Sequence, residues 1–492
     1  MKQKIANFLF VVLVFTNILY SQSTATGTVK DNSTGVPLPG VSIVVQNTKN
    51  GLVTDFDGNF SISNVAPGST IVFSYLGFES FSYVFNGDIN LQVGLVPSNN
   101  ELEEVVLVGY GSQKKKEVTG AVSVIDFGAI EKLNTSTIDQ ALQGQVAGVN
   151  VSSSSGAPGS NLNIRIRGVS TNGNNNPLIL LDGNVIEDLS VVNPNDIQSI
   201  NILKDATAGI YGVRAANGVI LIVTKSGKKN SKLKINLDAF YGIQQTSKKL
   251  DLLQPRDYAI YVNEAAAAGN KDPEFVIYPK TGTDWQDEVF EMAPISDLNL
   301  NGSFGTKKTA ISFGLSHLDQ KGIVGPEKSN FNRITGRMNL KHDLLKNLSI
   351  SSTAIYTHSK RNALQENSTG SVLFNATNIN PILPIYDTSQ SAGYSIAERL
   401  GGEIINPLAQ IANTYNTTLV DKLSATLGVE YSFLKNFKVT SNFQSNYSVV
   451  NSNVFRPEVF YGSSKNATTE TNEVTENKDT YMDFTWDNFI NY

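Results

Sequence analysis

From residue 232 onward the chain keeps returning to period two. In "KLKINLDAFYGIQ", Leu233, Ile235, Leu237, Ala239, Tyr241 and Ile243 fall on one face, the spacing of a strand with one apolar side. "DLNLNGSFGTKKTAISFGLSHL" reads as a hairpin about "GTKKT", with Leu298, Leu300 and Phe304 opposite Ile311, Phe313 and Leu315. The form recurs in "RITGRMNLKHDLLKNLSISSTAIYTH", turning near "HDLLKN", and in "KLSATLGVEYSFLKNFKVTSNFQSNYSVV", turning at "FLKNF". The runs are near the roughly 9–11 residues that a tilted membrane strand needs. Short turns alternate with long, polar, Gly/Asn-rich connections such as 359–420, the asymmetry of an outer-membrane barrel. A soluble β-protein with the same alternation is the other reading of this pattern.

The opening "MKQKIANFLFVVLVFTNILYSQS" joins a basic start, Lys2 and Lys4, to an apolar run from Phe8 to Phe15 that extends to Tyr20. It reads as a secretory signal peptide cleaved near Ser21 to Ser23, the run being short for a membrane anchor. No later stretch holds about 18 apolar residues. The mature chain is therefore either soluble or crosses a membrane as a closed barrel, because only helices and closed barrels satisfy their backbone groups in lipid. Among 492 residues there is no cysteine, which excludes a lipid-modified cysteine and a disulfide framework. The net charge, 39 − 44 = −5, offers no basic footprint for nucleic acid.

Between these ends lie two further textures. Residues 24–97 are short alternating runs divided by turn residues, "PLPG", "DFDGN" and "APGS", which suggests a small sandwich. "DFDGN" lacks the EF-hand's sixth-position glycine, that place being Phe60, so Asp57-Gly58 is expected to form a hairpin turn. Residues 119–227 are mixed α/β. "STIDQALQGQVAGVNV" sets Asp139 three residues after Ser136, a capping-box spacing, ahead of a stripe of Ile138, Ala141, Leu142 and Val146. "LNIRIRGV" alternates apolar and basic residues, and "NPLILLDGNVI" reads as strand, Asp182-Gly183 turn, strand. In "NPNDIQSINILKD", Asn193 is a cap with Pro194 at the first helical position, and "GVILIVTKSG" is a strand.

Four stretches carry a resemblance: "EEVVLVGYGSQKKKEVTGAVS", "ALQGQVAGVNV", "IRIRGVSTNGNNNPLILLDG" and "DIQSINILKDATAGIYGVRAANGVILIVTKSG". With them the chain resembles SusC/RagA-type TonB-dependent outer-membrane transporters, and Gly27 to Phe60 resembles the non-catalytic carboxypeptidase-regulatory-like sandwich. The resemblance implies a mainly β protein: signal peptide over 1–22, β-sandwich over 23–98, linker with TonB box over 99–118, an α/β plug over 119–230, and an incomplete antiparallel barrel over 231–492. It implies import of oligosaccharides or peptides, energised by the periplasmic domain of TonB and assisted by a SusD-like lipoprotein. The protein would reside in the outer membrane of a Gram-negative bacterium, with its N-terminal domain in the periplasm. It places the plug motif at Arg165, Arg167, Gly168, Asp182, Gly183, Lys204, Asp205, Tyr211, Gly212, Arg214, Asn217 and Gly218. The alternative is a TonB-linked surface receptor that senses ligand without importing it.

About eight strand candidates follow residue 232, and an eight-stranded barrel is filled by its own side chains, whereas plug-holding barrels have about 22 strands. Either residues 119–227 lie outside a small barrel or, as favoured, the chain runs partway round a large one, and this form alone is not expected to transport. No G-x-S-x-G or P-loop pattern occurs. His317, His342 and His358 lie in or beside the alternating strands without zinc-ligand spacing, so neither catalysis nor a cofactor is expected. Arg165 and Arg167 make one face of their strand cationic. They either line a substrate path or, as favoured, pair with plug or barrel carboxylates.

One stretch is out of place in a linker. Val105, Val106, Leu107 and Val108 form a β-prone run between Glu104 and the pair Gly109-Tyr110. Such a segment suits strand addition to a partner's sheet edge, and Glu104 to Tyr110 is the expected TonB box. An interdomain strand packing on the sandwich is the alternative. Lys114 to Lys116 read as a solvated spacer.

Overall fold

The computed structural model describes residues 23–48, 50–88, 90–97, 105–108, 111–114, 122–126, 137–160, 162–398, 402–434 and 436–492. The expected signal peptide lies outside them. The chain divides into two compact units, 1–105 and 106–492.

The first unit is two sheets around one core. β1 (Ser23–Asp31) pairs with β4 (Asn59–Val65) and, in parallel, with β7 (Leu91–Leu95). The second sheet runs β3 (Gly51–Val53), β2 (Ser42–Val45), β5 (Thr70–Ser74), β6 (Phe81–Val84). Alternate residues such as Val29, Ile43, Phe60, Ile62, Ile71 and Phe73 turn inward and are buried. Phe60 and Phe73 meet edge-on at 5.4 Å, the arrangement that ring quadrupoles favour. The expected hairpin at Asp57-Gly58 is corrected. The residues do turn, with Gly58 at φ +73°, but β3 and β4 belong to different sheets. Asp55 Oδ1 accepts from the amides of Asp57 and Asn59, and this Asx turn carries the chain round a corner between layers.

At the boundary between the units lies a two-stranded sheet, β8 (Val105–Val108) and β9 (Gly111–Lys114). The plug follows: β10 (Val122–Asp126), α1 (Ile138–Leu142), β11 (Val149–Ser153), β12 (Leu162–Ile166), β13 (Leu178–Leu181), β14 (Asn184–Ile186), β15 (Ile197–Leu203) and β16 (Val219–Thr224). Five strands make one sheet in the order β10-β15-β16-β13-β14, with β13 and β16 parallel. Its central strands, "LILL" and "VILIVT", are buried on both faces, so they read as unbroken apolar runs. β11 and β12 form a separate pair. α1 packs Ile138, Ala141 and Leu142 into the core. The cap falls one residue later than the capping-box spacing expects. Thr137 is the N-cap without a side-chain cap bond, and Asp139 accepts from the Leu162 amide at 3.2 Å, tying α1 to β12.

The wall is one antiparallel sheet in chain order: β17 (Lys234–Gln244), β18 (Ala293–Gly305), β19 (Thr309–Lys321), β20 (Asn330–Leu345), β21 (Leu348–Asn362), β22 (Tyr415–Phe433), β23 (Phe437–Arg456) and β24 (Glu473–Asn491). Most strands exceed the expected length, reaching 20 residues in β23. At about 3.3 Å per residue even a tilted strand of that size outruns a hydrocarbon core of about 30 Å. Turns at 306–308, 346–347 and 434–436 lie at one end; connections 245–292, 322–329, 363–414 and 457–472 lie at the other. Among the described residues β17 and β24 do not pair, so the sheet is open.

The longer connections are not bare loops. They hold α2 (Pro255–Ala268), α3 (Trp285–Val289), α4 (Val372–Asn378) and α5 (Pro407–Ala412). α3 and α4 share a small core of Trp285, Val289, Leu364, Val372, Ala376 and Ile379. Among the described residues no helix is long and apolar enough to cross a membrane.

Candidate functional site

The wall is inverted relative to a soluble sheet. In register across its outer face, Leu237 stands beside Leu300 and Leu300 beside Leu315, while Leu427, Phe443 and Trp486 line up in a second row. Leu300 is half-buried and the other five are exposed. The inner face is polar and buried: Asn299, Ser312, Arg337, Thr357, Ser424 and Gln444. At the short-turn end Tyr431, Phe433, Phe437 and Tyr492 stack in sequence at 6.1, 5.5 and 4.8 Å, which is where an aromatic girdle belongs.

Against that inner face sits the plug, held by polar contacts. The deepest is Arg337 of β20 with Asp196, at 3.0 Å and side-chain exposures of 1% and 4%. A 3₁₀ turn begun by Asn193 and Pro194 presents Asp196. Arg337 also donates to the Lys225 carbonyl at 2.6 Å and to Ser312 and Asn301. Its neighbour Asn339 donates to Thr224 Oγ1. Around this centre Asn193 donates to Asn299, Asn184 to Ser424 and Asn446, and Lys422 to Asp188 at 2.5 Å. Burial would push the Asp188 carboxyl up, but the Lys422 ammonium and the Ser190 donors hold it below the ordinary value. A chamber of about 250 Å³ lies between plug and wall nearby, lined by Asp139, Asp188 and Arg333 and by Ile164, Ile179 and Phe331. Such polar contacts are directional, and beside them Ile355 of β21 enters the apolar core of the plug.

The plug-motif residues mostly shape the plug itself. Asp182 and Gly183, at φ +48° and +87°, turn β13 into β14, and the Asp182 carboxylate accepts from the amide and hydroxyl of Thr224. Burial raises its pKa against those two bonds. Arg165 reaches an amide, Asn176 Oδ1 at 2.6 Å, and Arg167, at φ +58°, lies 3.9 Å from Asp205 within the plug. Lys204 donates to the Ala147 carbonyl; partial burial, with Arg167 beside it, lowers its pKa. Asn217 bonds Ser170 and the Asn174 carbonyl. Gly168, Gly212 and Gly218 have positive φ, and a Cβ on Gly218 would come within 2.8 Å of Ile166. Tyr211 packs on the cluster of Leu203, Val219 and Leu221, and Arg214 is exposed.

Of the expected TonB box, Val105 to Val108 form β8; Glu104, Gly109 and Tyr110 lie outside the described residues. The wall cations Arg333, Arg337 and Lys422 were not picked out in the sequence. Their signal was present: Arg333 and Arg337 occupy the face opposite Ile334 and Met338, where a wall strand must turn inward.

Comparison with known proteins agrees with this architecture. Residues 25–107 match the CarboxypepD_reg-like domain and residues 114–219 the TonB-dependent Receptor Plug Domain. TonB-dependent receptor P3 of Formosa agariphila is 32% identical over 96% of this chain and 48% of its own. TonB-dependent receptor SusC of Bacteroides thetaiotaomicron is 36% identical over 78% of this chain and 39% of its own. The chain thus spans about half the length of the curated relatives it matches. Among solved structures, the RagAB peptide importer in its open-open state superposes with a TM-score of 0.66 at 23% identity, over 79% of this chain and 46% of that one, a likeness of fold. On its plug, its preceding β-domain, its wall and its relatives, the chain belongs to the TonB-dependent receptors of the SusC/RagA type.

Proposed function

We propose that this chain supplies the plug and eight wall strands of an energised importer in a Gram-negative outer membrane. Its cargo would be oligosaccharides or peptides, delivered with a SusD-like lipoprotein, and TonB would grip Glu104 to Tyr110. The observation that carries the reading is the seam between plug and wall. Its contacts include hydrogen bonds and ion pairs, among them Asp196–Arg337 and Asp188–Lys422, beside a chamber lined in part by charged groups. Those contacts can be shifted by force, since water replaces polar partners as they separate. The fold-matched structure is of a peptide importer, which supports the peptide class. The same reading divides the chain into a leader over 1–22, a periplasmic domain over 23–98, a docking linker over 99–118, a plug over 119–230 and wall from 231.

Deleting the gene and growing the strain on a panel of glycans and peptides as sole nutrients tests this. Loss of growth on one class, restored by the gene in trans, is expected. Undiminished growth and uptake on every member would overturn the import reading.

A further inference from the structure

The docking strand has a partner already. β8 is paired with β9 in a two-stranded sheet, and only residues 109 and 110 separate them. A connection that short can join antiparallel strands only, because a parallel pair needs a crossover of about a dozen residues. In an antiparallel strand successive residues aim their N–H and C=O groups at opposite edges. β9 can therefore engage two of the four residues from Val105 to Val108 and leaves the groups of the other two on the far edge. Among the described residues no strand covers that edge.

The two strands are unequal. β8 is Val-Val-Leu-Val, and β9 is Gly-Ser-Gln-Lys, whose residues have little strand preference. A lone two-stranded ribbon is marginal in water, whereas a third strand on the strong member would complete it.

We propose that the docking unit is this hairpin, not a single strand: β9 splints β8 in its extended form, and the periplasmic domain of TonB adds as a third strand on the open edge of β8. The proposal rests on the TonB-docking reading above. The occupant is argued from place. β8 and β9 fall where the two domain matches adjoin, one ending at 107 and the other beginning at 114, in a family named for its dependence on TonB. The splint adds affinity because residues already extended lose less conformational freedom on binding.

The test uses the full-length protein in detergent and the purified periplasmic domain of its own TonB, with affinity measured for wild type, Val106→Pro, Ser112→Pro and Gln113→Pro. Adjacent residues of β9 face opposite edges, so one of the last two prolines removes a donor to β8. Thermal unfolding of each variant, expected unchanged, reports that plug and wall are intact. Val106→Pro is expected to abolish binding, and one β9 proline to weaken it about tenfold by restoring the freedom of β8. If both β9 variants bind like wild type while Val106→Pro does not, the docking strand stands and the splint is overturned. Tighter binding by a β9 variant would make β9 a competitor and overturn it equally. Wild-type binding by Val106→Pro would overturn the docking reading itself. Self-association that Val106→Pro abolishes, with TonB affinity unaltered, would assign the edge to a second copy and also overturn the proposal.

Discussion

At the scale of single residues the seam turns on Arg337. Its guanidinium is fully desolvated, with one carboxylate and three oxygen acceptors about it. A planar fork that reaches several acceptors at once is what arginine offers and lysine does not. Removing one partner of such a buried pair leaves an uncompensated charge, which costs about 3–5 kcal/mol. Asp196→Ala should therefore lower the stability of the purified protein by that amount, read by denaturant or thermal unfolding. The double variant Asp196→Leu with Arg337→Met, which removes both charges and restores apolar volume, should recover most of the loss. If Asp196→Ala unfolds like wild type, the pair is not the anchor described. Arg337 was not legible as an anchor in the sequence because Asp196 and Lys225 lie more than 100 residues away from it, and period two assigns a residue to a face without naming what fills that face.

At the scale of elements, local pattern and observed structure agree where the physics is local. Asp182-Gly183 sets a two-residue turn between β13 and β14, as the dipeptide alone indicates. Period two found every wall strand from β17 to β23. It misjudged Asp57-Gly58, because a turn's residues fix its bend but not whether the flanking strands pair. The helices in the long connections were passed over, although Pro255 at the first position of α2 and Gly269 after its last residue are start and stop signals. Plug and wall also fit through one small element. Gly159, at φ +66°, lies so close to the Phe331 ring of β20 that a Cβ would come within 2.4 Å. Gly159→Ala forces an unfavourable backbone and an overlap together, at a cost of about 1–3 kcal/mol. Looser seating of the plug should follow, seen as faster protease cleavage of the 155–160 loop in the folded protein. Unchanged cleavage would mean that the loop has room to adjust.

At the scale of the whole molecule, an apolar outer face and a polar inner face make one sheet a boundary between lipid and plug. The plug is then held to the lining in part by polar contacts, and a pull on the chain ahead of it has something to shift. That chain contains Val105 to Val108, and the central claim is that uptake is driven through this strand. The most direct measurement is energised uptake of the cargo by whole cells expressing wild type or Val106→Pro at equal surface abundance. The account predicts uptake at background for Val106→Pro, with cargo binding at the cell surface retained; uptake equal to wild type would contradict it.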